Sequence, residues 1–342
     1  MKHLLALLIL MLTTVCVAQK RITWEAVKTV RIGKEVTFTN KKGKPLKGNY
    51  TIASVKGSYS TMPFSKGKID GMRKDYDLEE KLIASRAFKK GKAHGAWMYY
   101  NADGTIKVIE NYNAGLKSGK WWKKIRQNNT YFTSTSFYNN DIPEGHWTEK
   151  RADSTLISEK TYKGKGSYIA KEYYITGKLK NQESFINFKL DGEQLTYTKM
   201  GILLSKLNFK NGVIVKKETF YKNGRPDNYC TYKNGRPHGK CIGYKRSGAL
   251  AFEEDYDNGD KSGVFKKYLG TEGWLHFVTT YKNDTPHGSH KMYYRNKNIE
   301  QEGNYINGSK EGLWKYYHIN GKLKREVTYD KGVEIDRKEY SY

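Results

Sequence analysis

Aromatic and polar positions alternate along this chain in short stretches that are separated by turns containing glycine. The stretches are about six to eight residues long and are rich in Tyr, Thr, Val, Phe and Trp, which is the length and composition of β-strands. No segment keeps helical spacing of its apolar residues for long enough to compete. The pattern therefore predicts an all-β protein made of many short strands.

The strand pattern repeats with a period of about 24 residues. We define the anchor of each copy as the second glycine of a Gly-x-x-x-Gly loop, the bracketed loop, or as the residue aligned with that glycine. Successive anchors are 23 to 26 residues apart, and ten of the twelve are glycine. The anchors are Gly48, Gly71, Gly95, Gly119, Gly145, Tyr168, Gly192, Lys216, Gly239, Gly263, Gly288 and Gly312. A regular period of this length indicates a repeat architecture.

Aromatic residues recur at three fixed distances from the anchor. Tyr or Phe stands seven residues before it in ten copies, from Phe64 to Tyr305. The position two residues after it holds Trp97, Trp121, Trp147, Phe265 and Trp314, with Cys241 and His290 in other copies. The position five residues after it holds Tyr76, Tyr100, Tyr173, Tyr197, Tyr221, Tyr244, Tyr268, Tyr293 and Tyr317. We expect the last two columns on opposite faces of the sheet, with Tyr packed on Tyr and Trp on Trp in successive copies.

A second turn lies midway between anchors. It is seen at Asp103-Gly104, Thr176-Gly177, Asn223-Gly224, Ser247-Gly248 and Asn320-Gly321. Asn-Gly and Asp-Gly tolerate positive φ at both central positions, as a two-residue hairpin turn requires. We therefore predict the hairpin turn here, with the bracketed loop leading to the next hairpin. The predicted fold is an elongated single-layer antiparallel sheet of tandem β-hairpins of about 24 residues.

The chain divides into three regions. Residues 1–18 have a basic start, an apolar run and small residues before Gln19, so a secretory signal peptide is predicted, with lipidation of Cys16 as the alternative. Residues 19–40 contain "TVRIGKEVTFT", which is expected to supply a capping strand. Residues 41–342 hold the repeats and a C-terminal cap. The copy at residues 72–82 is charged and less β-like, so it is expected to be distorted.

Charge and export limit the partners. The formal net charge is +27, which favours anionic partners and, in its simplest interpretation, keeps a tyrosine-rich sheet soluble. The predicted location is the periplasm, the outer-membrane surface or the exterior, where nucleic acid is not an expected ligand.

Cys230 and Cys241 remain after export and could form a disulfide in an oxidising compartment. If Tyr232 pairs with Cys241, however, Cys230 lies diagonally across from Cys241, which is a poor distance for a bridge. Both a disulfide and two free thiols remain open.

The chain contains no catalytic signature, and neither an enzyme, a metal nor a cofactor is predicted. His94, His238 and His287 each precede an anchor, which favours solvated loop residues over a metal site. Glutamates recur near the second strand of each copy and are interpreted as cross-strand partners of lysines, not as catalytic acids. They are Glu110, Glu159, Glu183, Glu218, Glu253, Glu302 and Glu326.

The motif Gly-x-x-x-Gly-x-Trp-x-x-Tyr, followed by Asn-Gly and Glu-x-x-Tyr, resembles MORN repeats of the variant bacterial type. It is similar in particular to exported bacterial proteins of the antitoxin-like YwqK group, over about residues 43–336. The resemblance implies a β-hairpin solenoid and a binding role, and it implies no particular ligand.

The leading hypothesis is a non-enzymatic exported scaffold or adaptor that binds another protein of the bacterial envelope. The alternatives are binding of anionic glycan, lipopolysaccharide or a membrane surface through Lys and Tyr rows, and the antitoxin-like inhibition that the resemblance implies. The residues expected to carry the repeat structurally are Gly95, Gly119, Gly145, Gly192, Gly239, Gly263, Gly288, Gly312, Trp97, Trp121, Trp147, Trp314, Tyr100, Tyr244, Tyr268, Tyr293 and Tyr317.

Overall fold

The computed structural model describes residues 19–33, 35–127 and 130–341. The predicted signal peptide and the alternative lipidation site at Cys16 lie outside the described residues. The chain forms two units, Met1–Trp147 and Thr148–Tyr342. Within the described ranges the only helical segment is a 3₁₀ turn, Trp24–Ala26.

Both units are built from antiparallel strands that pair with their neighbours in sequence. The first unit contains β1 (Lys20–Thr23), β2 (Val27–Ile32), β3 (Glu35–Asn40), β4 (Gly48–Ala53), β5 (Tyr59–Ser65), β6 (Lys68–Ile69), β7 (Gly71–Tyr76), β8 (Leu82–Lys89), β9 (Lys92–Tyr100), β10 (Ile106–Asn113), β11 (Leu116–Lys117), β12 (Gly119–Gln127) and β13 (Thr130–Asn139), and the division falls within β14 (Ile142–Arg151).

The second unit continues the same alternation of strands and turns. Its strands are β15 (Leu156–Gly164), β16 (Ser167–Tyr173), β17 (Leu179–Ile186), β18 (Lys189–Tyr197), β19 (Leu203–Lys210), β20 (Val213–Phe220), β21 (Pro226–Lys233), β22 (Arg236–Tyr244), β23 (Leu250–Asp257), β24 (Asp260–Lys261), β25 (Gly263–Leu269), β26 (Trp274–Lys282), β27 (Thr285–Tyr293), β28 (Ile299–Ile306), β29 (Ser309–Tyr317), β30 (Leu323–Asp330) and β31 (Val333–Glu339). The predicted all-β class and the tandem hairpins are confirmed.

The N-terminal region differs from the predicted capping strand. The segment "TVRIGKEVTFT" falls in β2 and β3, which pair with each other as a separate two-stranded sheet. One edge of β4 pairs with β5, and its other edge pairs with β1, which runs parallel to it. The core here contains Leu46, Tyr50, Ile52, Met62, Phe64 and Ile69, against which Trp24 and Phe38 pack. This region therefore adds a small second layer to the sheet.

The two kinds of turn are exchanged relative to the prediction. In the bracketed loops both central residues have positive φ, as at Asn234 (52°) and Gly235 (77°). In the midway turn at Tyr221–Arg225 only Gly224 has positive φ (83°), and the Tyr221 amide donates to the Arg225 carbonyl at 2.8 Å. The two-residue hairpin turn thus belongs to the bracketed loop, where the Asn-Gly pairs also satisfy its requirement for positive φ.

Hydrogen bonds join the bracketed turns of successive copies. The second turn residue donates its amide to the carbonyl of the residue two before the preceding anchor. Examples are Gly212 to Leu190 at 2.7 Å and Gly259 to Pro237 at 2.8 Å. These bonds hold adjacent copies in register at one edge of the sheet.

Rings of two columns alternate along the first unit. Phe88, Trp97, Tyr112, Trp121, Tyr138 and Trp147 follow one another with centroid separations of 5.0, 4.9, 5.1, 5.6 and 5.0 Å. The predicted packing of Tyr on Tyr and Trp on Trp is therefore wrong in detail. Each ring lies between two rings of the other column, in the tilted or edge-on geometry that aromatic pairs favour.

Candidate functional site

The anchor glycines hold a backbone conformation that other residues rarely adopt. All ten have positive φ, for example 68° at Gly312 and 110° at Gly263. Gly312 lies opposite Tyr329 and Gly263 opposite Tyr281, the ring column of the following copy. The anchors are therefore structural, since a side chain at positive φ is strained.

The tryptophans of the repeat add a side-chain hydrogen bond between neighbouring strands. Each indole Nε1 donates to the carbonyl ten residues earlier, at 2.8 Å from Trp97 to Ala87 and 3.1 Å from Trp314 to Asn304. The strand register shifts at this point, because Arg86 pairs with Trp97 while Ala87 is skipped. Trp121 and Trp147 make the same bond at 3.0 Å. The indole thus gives a backbone carbonyl beside the shift a side-chain donor, and at Asn111 that carbonyl also accepts from the Ser118 amide at 2.9 Å.

On the opposite face, tyrosine hydroxyls and lysines share the glutamates. Tyr317 donates to Glu302 at 2.7 Å, and Lys291 lies 3.0 Å from the same carboxylate. Burial and this bond raise the pKa of Tyr317 to about 12, while the Tyr317 hydroxyl lowers the pKa of Glu302. Tyr268 likewise donates to Glu253 at 2.7 Å. These carboxylates have structural partners.

The predicted cross-strand ion pairs are confirmed for part of the glutamate column. Lysines lie 2.9 to 3.8 Å from Glu159, Glu253, Glu302 and Glu326. Glu110 differs, because it lies opposite Trp97 on the ring face and accepts from Tyr112 at 3.0 Å. The single column read from the sequence therefore divides between two faces.

Other members of the tyrosine column stabilise neighbouring copies. The Tyr244 and Tyr317 carbonyls accept from the Tyr221 and Tyr294 hydroxyls, at 2.7 and 2.9 Å. Tyr293 lies opposite Ile299 in the ladder. The hydroxyl of Tyr100 lies 3.5 Å from the sulfur of Met98, in the same strand.

The side chain before an anchor accepts a backbone bond from the next copy. His238 Nδ1 lies 3.4 Å from the Asn258 amide, and His287 Nδ1 lies at the same distance from the Asn307 amide. Asp191 plays this part for Asn211 at 3.0 Å. The two histidines therefore have structural partners. No group of three or more His, Cys, Asp or Glu suited to a metal ion occurs in the described part of the chain.

Cys230 and Cys241 lie directly opposite each other and form a disulfide, with their Cα atoms 4.2 Å apart. Tyr232 pairs with Pro237 and not with Cys241, because the register shifts between Cys230 and Tyr232. The diagonal arrangement considered from the sequence is therefore not formed.

One copy departs from the repeat in two side chains that lie together. Arg73 stands two residues after its anchor, where five copies have Trp or Phe. Arg86 stands two residues before the ring of Phe88, where three copies have Glu. Arg73 and Arg86 lie opposite each other in the β7–β8 ladder, whose register is regular apart from a shift at Tyr76. The distortion predicted for residues 72–82 is therefore absent, and the departure is in the side chains.

Both arginines converge on Asp75, which is 8% exposed. Arg73 and Arg86 nitrogens lie 2.7 and 2.5 Å from its two oxygens, and the Ser60 hydroxyl donates to it at 2.5 Å. Burial raises the pKa of Asp75, but the Ser60 bond and the two guanidinium groups outweigh burial and lower the pKa overall. One ionised carboxylate thus faces two cations, which leaves one positive charge uncompensated within the cluster.

Aromatic side chains surround this cluster in a cleft of about 430 Å³. Tyr59 and Tyr76 stack with their centroids 4.7 Å apart, and Tyr99 and Trp24 also line the cleft. Trp24 reaches it from the 3₁₀ turn that follows β1. The Arg86 Nε is buried and has no hydrogen-bond partner within the described ranges. We call this site, in the first unit, the arginine cleft.

Sequence reasoning missed the arginine cleft. The signal that could have found it is the replacement of a ring and an acid by two arginines in one copy. Asp75 and Trp24 carry no such signal, because their contribution depends on strand pairing.

The fold and these contacts define a tandem β-hairpin repeat protein. Residues 93–114, 286–307 and 310–331 match the family model described as MORN repeat variant. Each matched segment spans one anchor, the midway turn and the following strand. No match was found among curated proteins.

Two solved structures show weak likeness to the chain. The crystal structure of TcdB2-TccC3-Cdc42 is 9% identical, with 87% of this chain and 23% of that chain covered and a TM-score of 0.14. This chain thus spans less than a quarter of that one. A porin-like protein from Bacteroides uniformis ATCC 8492 is 8% identical, with 78% and 93% covered and a TM-score of 0.16. Among the described residues no helix is long and apolar enough to cross a membrane.

Proposed function

We propose that this chain is a non-enzymatic, exported repeat protein that serves as a scaffold or adaptor for another protein of the bacterial envelope. The three MORN repeat variant matches support a repeat-based binding role. The apolar segment at residues 4–12 supports export. Repeat architectures of this kind offer long continuous surfaces to partners.

The observation that carries the proposal is a set of exposed apolar side chains at the midway turns. Val55 and Leu78 occupy equivalent turn positions in the first unit. In the second unit Ile175 and Ile319 occupy that position, and Met200 lies one residue further along its turn. These five side chains are 62% to 85% exposed, and we call those of each unit its apolar turn edge. Recurring exposed apolar residues indicate a protein-binding surface more than single ones do.

Basic residues lie beside two of the five exposed apolar side chains. Lys56 follows Val55, and Lys199 precedes Met200. Asp77 and Glu79 flank Leu78 instead, so the feature that a partner is expected to match is the apolar surface.

The test compares capture of partners by two double variants. Ile175→Ser with Met200→Ser removes the apolar turn edge over two successive copies. Val213→Ser with Ile306→Ser is the matched control, since these residues are also exposed but lie beside the bracketed turns. We expect a protein from the native envelope fraction to bind the wild type and the control, but not the turn-edge variant. Equal capture by both variants, at unchanged melting temperatures, would contradict the proposal.

The alternative of anionic glycan binding through Lys and Tyr rows receives less support. Lys266, Lys291 and Lys315 are paired with carboxylates of the same face. The hydroxyls of Tyr268 and Tyr317 donate hydrogen bonds to two of those carboxylates. Because these lysines and tyrosines are already bound to carboxylates of the sheet, this face offers little uncompensated positive charge to a glycan.

A further inference from the structure

We infer that the arginine cleft binds a carboxylate-bearing sugar, such as a uronic acid residue of an acidic glycan. The inference concerns a small-ligand site in the first unit and does not depend on the apolar turn edge.

The charge of the cleft calls for an anion. Arg73 and Arg86 share the single carboxylate of Asp75. Asp75 fixes the position of both guanidinium groups, and each guanidinium has more donors than Asp75 and Ser60 can accept. A second carboxylate would receive these remaining donors in the forked geometry that arginine favours.

The unpartnered Nε of Arg86 supports the same conclusion. A buried donor without an acceptor costs free energy, and such groups need a physical explanation. Arg86 bonds Asp75 through a terminal nitrogen, it also has a hydrogen bond with Tyr99, and its guanidinium carbon lies 5.6 Å from the centroid of the Trp97 ring. An oxygen of a bound ligand in the cleft is a suitable acceptor for the Nε.

The walls and size of the cleft favour a ring over an inorganic anion. Tyr59, Tyr76, Tyr99 and Trp24 provide aromatic surfaces with hydroxyl or N–H groups at their rims. The volume of about 430 Å³ is within the range of small-molecule sites. A phosphate ion would leave most of this aromatic surface without contact. A pyranose ring can pack on the aromatic walls while its carboxylate meets the arginines.

The side chain at the position two residues after the anchor explains how this copy forms the cleft. In the other copies with Trp or Phe after the anchor, that ring fills the space between its neighbours. Arg73 replaces the ring in this copy. Arg73 and the small side chain of Ala84 both line the cleft. The site is thus a local interruption of the aromatic row.

The binding experiment uses isothermal calorimetry on the full chain with trigalacturonate as the probe. Trigalactose is the neutral ligand of the same length, and inorganic phosphate is the small anion. We expect trigalacturonate to bind, with at least about tenfold weaker binding of the other two, because loss of a charge-assisted contact costs that much or more.

The variants are Arg73→Gln, Arg86→Gln and Arg86→Lys. Either glutamine variant should weaken trigalacturonate binding by about tenfold or more, and the lysine variant should fall between it and the wild type. Arg246→Gln, an exposed arginine of the second unit, is the matched control for the charge change and should bind as the wild type does. The arginine variants also remove a partner of Asp75. Tyr76→Ser therefore tests the aromatic wall of the cleft while leaving Arg73, Arg86 and Asp75 unchanged, and it should also weaken binding.

Three results would overturn the inference. They are equal binding of trigalactose or phosphate, unchanged binding by Arg86→Gln and Tyr76→Ser when both are folded, and an equal loss of binding in Arg246→Gln.

Discussion

His290 lies two residues after an anchor, at the position where five other copies have Trp or Phe. It is buried, stacks on Trp314 with centroids 5.6 Å apart, and its Nδ1 lies 2.7 Å from the Thr279 hydroxyl. The imidazole thus fills the ring column in its neutral form. Burial, with smaller contributions from Lys310 and His276, lowers its pKa to about 4.

This lowered pKa predicts acid sensitivity at a single residue. A histidine whose pKa is lower in the folded state stabilises the fold less as pH falls from its unfolded value near 6.5 towards 4. The full shift corresponds to about 3 kcal/mol. We expect His290→Phe to remove that part of the acid loss, measured as the difference in unfolding free energy between pH 7.5 and pH 4.5.

The wild type is the reference for this difference. The two proteins carry the same carboxylates, so the contribution of the carboxylates to the acid loss cancels in the comparison. An identical pH dependence in His290→Phe would show that His290 is not buried in its neutral form.

Glycines without positive φ show a different constraint at the same scale. Gly303 lies beneath the Trp314 ring, and a Cβ there would be 2.3 Å from a ring carbon. Gly243 lies beneath Phe252 in the same way, at 2.1 Å. These glycines are needed for close ring approach, which no turn pattern in the sequence reveals.

At the scale of the element, one hairpin carries a covalent bond. The disulfide joins β21 to β22 across the bracketed turn, at a sequence separation of 11. Cys241 is buried in the ring column, where it takes the place of an aromatic residue. The bond therefore secures a copy that lacks the indole or phenyl ring of its neighbours.

Removal of this bond should weaken the second unit. By loop entropy, a link of this length stabilises the folded state by about 3 kcal/mol. We expect the Cys230→Ala, Cys241→Ala double variant to unfold at lower denaturant concentration. The wild type with a reducing agent should match it, whereas Cys230→Ala alone tests whether the free Cys241 thiol still packs. No change in the unfolding midpoint would contradict a stabilising role.

At the scale of the molecule, each strand contacts mainly the strands before and after it. Stability in such an architecture is close to a sum of nearest-neighbour terms. Damage to one copy should therefore spread over few strands.

Trp314→Leu tests this within the second unit. The substitution removes a fully buried ring and its bond to the Asn304 carbonyl, at a cost of about 3 kcal/mol. We expect faster amide hydrogen exchange in β27–β31 and little change in β15–β19. Leu313→Ala, at an exposed neighbour, is the control. Uniform loss of protection across the unit would indicate global cooperativity instead.

Much of the fold could be predicted because the same spacing of glycine and aromatic residues recurs in many copies of the repeat. The period, the strands and the opposite faces of the second and fifth positions follow from spacing alone. The exchanged turns show where this fails, since Asn-Gly in both loops permits either assignment and only the strand pairing of residues such as Lys233 with Arg236 resolves it. The divided glutamate column has the same cause, because a one-residue shift reverses the face of a side chain.

The sequence by itself determined the all-β class and the aromatic and glycine columns, because these depend on local conformation and on short-range periodicity. The tertiary structure decided which strands hold a second layer, which cysteine faces which, and that Trp24, Asp75 and two arginines meet in one cleft. Those features depend on register shifts and on contacts between distant segments, and neither can be read from the order of residues within one copy.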